Sequence, residues 1–73
     1  MCIAIPMQVI DVDGFAATCQ SMGQTRLVNT ILLGEVSAGA WLLVAGNTAH
    51  RMIEEKEAEE ILSLLTTIHD NAQ

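Results

Sequence analysis

Residues 9–20 read Val9-Ile10-Asp11-Val12-Asp13-Gly14-Phe15-Ala16-Ala17-Thr18-Cys19-Gln20: an apolar stretch, a turn pair and a second apolar stretch. Asp13-Gly14 is a strong hairpin signal, because both residues tolerate the positive φ that a two-residue loop between antiparallel strands demands. The segment therefore predicts one strand through Val9, Ile10 and Val12 and a return strand over Phe15 to Gln20. Working outward, Met22-Gly23 offers a second turn, after which Gln24 to Thr30 alternates around Leu27 and Val28. Gly34 to Gly39 is a loop rich in small residues. Trp41 to Val44 forms a continuous apolar strand, Gly46-Asn47 a turn, and Thr48 to Ile53 a fifth strand. Five short strands at this spacing predict a small barrel rather than an open sheet, since closure hides edges that so short a chain cannot otherwise cover.

From Glu54 the period changes. Ala58, Ile61, Leu62, Leu65 and Ile68 follow the spacing of one helical face, and Glu54, Glu55 and Glu57 fall where carboxylates favour the positive end of the helix dipole. The expectation is a mainly β protein: one domain over 1–73, with a five-stranded barrel over about 1–53 and an α-helix over about 54–69. The acidic run is read first as a solvated helix start, with steering of a basic partner as the second possibility.

The bulk properties narrow the function classes. The chain has 73 residues and 7.9 kDa, 51% of them hydrophobic and 16% charged, which excludes intrinsic disorder. One Trp, one Phe and no Tyr leave the core to aliphatic residues and Met. Nine acidic against three basic residues give a net charge of −6, the wrong sign for a phosphate backbone, and too few aromatics remain for base stacking. Nucleic acid is thus excluded as a general partner. The apolar run from Ala38 to Ala49 is broken by Gly39, Gly46 and Asn47, so no membrane span is expected, and no signal peptide is readable. Two cysteines without zinc spacing fit a reduced, cytoplasmic protein. A domain this small buries only about 60% of its unfolded surface, so a homo-oligomer or another partner covering apolar surface would help it.

The chain carries no phosphate loop, no zinc-protease motif and no nucleophile–base–acid order, and enzymatic activity is not expected. Cys2 stands out. Loss of Met1 would leave it with a free α-amine beside its thiol, and an adjacent ammonium raises the thiolate fraction. Thiolate is a soft ligand suited to low-spin iron or copper. A buried Cys opening the first strand is the bland alternative. Cys19, inside a strand, is expected to be a small hydrophobe. His50 follows a turn and reads first as a surface residue, and His69 as a helix-terminal one. Cys2, Cys19, His50 and His69 together lack any zinc motif.

The opening Met1-Cys2-Ile3-Ala4-Ile5-Pro6-Met7-Gln8-Val9 resembles that of the HypC/HupF family of hydrogenase maturation chaperones. The likeness continues through Gly23-Gln24-Thr25-Arg26-Leu27-Val28-Asn29, resumes at Gly39-Ala40-Trp41-Leu42-Leu43-Val44, and ends with Ile53-Glu54-Glu55-Lys56-Glu57-Ala58 leading into the helix. The resemblance implies an oligonucleotide-fold-like barrel with a C-terminal helix. It also implies a role: docking with a HypD-type scaffold while an iron atom acquires two cyanides and one carbon monoxide, then association with the precursor of the [NiFe]-hydrogenase large subunit. The implied partner-binding residues are Cys2 and Pro6, with Cys2 the iron ligand of a transient Fe(CN)2(CO) group. The family's second proposed ligand is a His, whose place is held here by Ala45, with Asn47 and Thr48 at the following Gly and Phe. Leu27 stands at the family's Asp, and Met7 at its Gly. His50 could replace the missing ligand, but its odd offset from Ala45 points it to the opposite face unless the turn at Gly46-Asn47 resets the alternation. Alternatives are a relative that docks partners without holding iron, and a self-associating structural barrel.

Overall fold

The computed structural model describes residues 4–71, with side chains over 4–65. Five strands, β1 (Ile5–Asp13), β2 (Ala16–Ser21), β3 (Gln24–Asn29), β4 (Trp41–Ala45) and β5 (Thr48–Ile53), precede a helix α1 (Glu55–Asn71). The strands close into a barrel in the order β1-β2-β3-β5-β4. All neighbours are antiparallel except β3 and β5, which run parallel and pair at one position, Asn29 with Thr48. The expected five-stranded barrel with a C-terminal helix is thus the observed architecture. Among the described residues, no helix is long and apolar enough to cross a membrane.

Three two-residue hairpins set the register. Asp13 pairs with Ala16, so the first turn is Gly14-Phe15, one residue later than the sequence signal suggested. Gly14, at φ +64°, takes the first central position, where such a loop needs glycine, and Phe15 is left on the tip, 61% exposed. Met22 and Gly23 both have positive φ, the pattern of the mirror-image type I turn. In the third hairpin Ala45 pairs with Thr48 across Gly46-Asn47.

Two bulges correct the alternation. Val9 pairs with Cys19 and Asp11 with Thr18, leaving Ile10 as an extra residue in β1. Leu43 pairs with Arg51 and Val44 with Ala49, leaving His50 as an extra residue in β5. Each insertion lets strand residues on either side of it keep their hydrophobes inward. The core that results is aliphatic: Met7, Val9, Ala17, Cys19, Val28, Val36, Leu42, Val44 and Ala49 form one cluster, with Phe15 and Trp41 outside it. Thr30, at the end of β3, is fully buried and anchors the following loop: its N–H donates to the Phe15 carbonyl (2.7 Å), and its carbonyl accepts from Leu33 and Gly34 (3.0 Å each).

The helix begins one residue later than the periodicity predicted and runs two residues further, with the Ala58 N–H donating to the Glu54 carbonyl at 2.9 Å. It packs against β1. Ala58 is fully buried yet lies outside the barrel cluster, while Leu64 is 63% exposed. Ile61, Leu62 and Leu65 are half-buried. The helix therefore leaves the barrel along its length and stretches the molecule to 41 × 25 × 19 Å. The side chains of Ile68 and His69, both weighed in the sequence, lie outside the described residues.

Candidate functional site

Cys2 lies outside the described residues; the strand it precedes can be placed. Ile5 pairs with Val44, which pairs in turn with Ala49, so β1 begins at the hairpin that joins β4 to β5. Residues 5–7 pair with β4 alone. That is the edge condition under which a strand accepts proline without losing a ladder hydrogen bond.

Pro6, expected beside Cys2 as a partner-binding residue, is fully buried. Its neighbours Ile5 and Met7 face the barrel core, so alternation turns the Pro6 ring to the outer face of β1, the strand on which α1 packs. Among the described residues, Pro6 thus contributes the path of β1 rather than an exposed side chain.

The position of His50 follows from the hairpin. Cross-strand partners point to the same side of a sheet, so Ala45 and Thr48 share a face. Two residues after Thr48, His50 returns to that face, while Ala49 between them is fully buried. The odd offset that would have set His50 opposite Ala45 is thus cancelled by the turn, and the bulge leaves the imidazole exposed. Ala45, Thr48 and His50 make an outward row at the barrel end where β1 starts. Among the described residues, no three His, Cys, Asp or Glu side chains come together to hold a metal ion.

Cys19 is inert. Its side chain is fully buried, its Sγ donates to the Ala17 carbonyl at 3.8 Å, and burial pushes its thiol pKa up. The arginines have local tasks: Arg26 Nη1 donates to the Gly46 carbonyl at 3.0 Å, across the β3–β5 seam, and Arg51 meets Glu57 at 3.4 Å on the surface.

A further feature did not emerge from the sequence. The β1–β2 and β4–β5 hairpin tips flank an open hollow of about 680 Å³ over β3. Phe15, Leu27 and Ile31 line it, 60–66% exposed, with Asp13, Asn29 and Asn47 at its margin. Asn29 Oδ1 accepts from the Ile31 N–H at 2.9 Å, a local turn that holds Ile31 in place. The one hint in the sequence was Leu27, an apolar residue at a position where the family resemblance implies a polar one.

The HupF/HypC family pattern matches residues 1–65. Over 61 residues the chain is 38% identical to the hydrogenase expression/formation protein HupF of Bradyrhizobium diazoefficiens and 41% identical to the hydrogenase expression/formation protein HoxL of Cupriavidus necator. Each match covers 84% of this chain, but only 62% and 57% of those relatives, so the chain spans about three fifths of their length. It is also 33% identical to the hydrogenase maturation factor HypC of Escherichia coli K12, over 96% of this chain and 84% of that protein.

Proposed function

The chain belongs to the HupF/HypC family of hydrogenase expression and maturation factors, and from that premise we propose that it is a maturation chaperone working through Cys2. Cys2 docks the chain on a HypD-type scaffold and then on the hydrogenase large-subunit precursor, and it carries the Fe(CN)2(CO) group between them as cargo. The observation that carries this reading is the Met1-Cys2-Ile3-Ala4-Ile5-Pro6 opening, which falls within the family match at residues 1–65. A thiolate binds iron softly and exchanges with a partner's thiol, the reversible chemistry a carrier needs.

The geometry supports a division of labour. Pro6 and its β4 partner Leu43 fix where β1 starts, and the Ala45, Thr48, His50 row faces outward at that end. Ala45 has no donor atom, so the second iron ligand is His50, the α-amine or a group from the scaffold. The reading gives the chain no reaction of its own and places it in the cytoplasm with its partners.

Anaerobic co-purification with the scaffold, followed by infrared spectroscopy, tests the role. Cyanide and carbonyl bands on the wild-type complex and loss of the complex with Cys2→Ala are the expected results. A Cys2→Ala variant that still assembles and still shows the bands would remove the role of Cys2. A stable wild-type complex without bands would leave docking alone. Loss of the bands with His50→Ala would make His50 the second ligand, and unchanged bands would assign it to the amine or the partner.

A further inference from the structure

The hollow over β3 joins Phe15 to Leu27 and Ile31, a dozen or more residues further along the chain, and all three are exposed in the fold. Phe15 sits on a hairpin tip, Leu27 on the outer face of β3 and Ile31 on the loop after it, each more than half exposed and outside the core cluster. Single exposed hydrophobes need no explanation, but three around one concavity do. The margin is acidic. Asp13 lines it, and Asp11 lies two residues back on the same side of β1. Among the described residues, no cation lines the hollow; Arg26 donates to the Gly46 carbonyl, and Arg51 meets Glu57.

We propose that this hollow docks an aliphatic segment of another protein that carries a lysine or arginine beside its apolar side chains. The aliphatic part covers Phe15, Leu27 and Ile31, and the cation meets Asp13. Nucleic acid does not fit, since Phe15 is the one aromatic in the lining and the margin repels phosphate. A second copy of the chain does not fit either: it brings −6 to −6, and its free surface offers few cations to answer Asp13.

The inference stands apart from the Cys2 role and is tested by nuclear magnetic resonance titration of the isotope-labelled chain. Two capped hexapeptides serve as probes, each with Leu-Val at the centre, flanked by lysines in one and glutamates in the other. The lysine peptide is expected to shift the amides of Phe15, Leu27, Ile31 and Asn47 saturably and to bind about fivefold more tightly than the glutamate peptide. Leu27→Asp, at an exposed site that leaves the fold intact, weakens it about tenfold. Asp13→Asn narrows the preference between the peptides, and Cys2→Ala changes nothing. Equal binding of the two peptides, shifts located elsewhere, no saturable shift, or self-association through the same amides without peptide would each overturn the proposal.

Discussion

Thr30 is the residue on which the structure makes its sharpest demand. Its hydroxyl is buried without a hydrogen-bond partner among the described residues, although its backbone groups are all engaged. A buried unpaired hydroxyl costs about 1–3 kcal/mol, and valine has nearly its shape. Thr30→Val is therefore expected to raise the melting temperature by about 4–8 °C per kcal/mol recovered, read by calorimetry. Met22 stores strain of another kind, with φ at 53° where a side chain is disfavoured. Met22→Asn, a residue at home in that turn, should stabilise the chain by about 0.5–1 kcal/mol in urea titration. Cys19 supplies a pH test. Its pKa is raised by burial, so the folded chain keeps a proton that the unfolded chain gives up above the ordinary thiol range. Its contribution to stability is complete below that range and falls as pH rises through it. At pH 8, iodoacetamide followed by peptide mass mapping should leave Cys19 unlabelled in the native protein and labelled in denaturant; labelling of Cys19 in the native protein would show it to be accessible.

At the scale of elements, the legible and the hidden divide by cause. Turns were readable because Gly14, Gly23 and Gly46 advertise backbone conformations that few other residues adopt, and the helix because its apolar period differs from that of the strands. The bulges were not readable. Ile10 and His50 are ordinary strand residues, and only pairing with a partner strand shows one of them to be extra. Pro6 was legible as a strand opener but not as a buried one, because burial on the outer face of β1 depends on elements distant in the sequence, and α1 packs on that strand. Of the candidate site, Cys2 was singled out by its sequence neighbours and lies outside the described residues, whereas the hollow was not legible, since Phe15, Leu27 and Ile31 come to line one hollow only once two hairpins are folded. The helix gives a prediction of its own. Ala58 is its fully buried contact, so Ala58→Glu should cost about 2–3 kcal/mol by burying a polar group. The exposed pair Arg51–Glu57 is worth little, and Glu57→Ala should shift stability by less than about 0.5 kcal/mol.

For the whole molecule, the barrel's weakest join is between β3 and β5, paired at Asn29 and Thr48 and spanned by the Arg26 contact to Gly46. Hydrogen exchange should find the amides of β5 opening before those shared by β1 and β2, where the pairing is long. Slower exchange in β5 would show that the loop after β3 carries more of the closure than the strand pairing does. The hairpin between β4 and β5 has an evolutionary corollary. Because a two-residue loop preserves the side of the wall on which facing residues stand, a side chain introduced at position 45 would address the same compartment as those at 48 and 50. Drift between adjacent strands then relocates a side chain sideways along the same façade, leaving the interior architecture untouched.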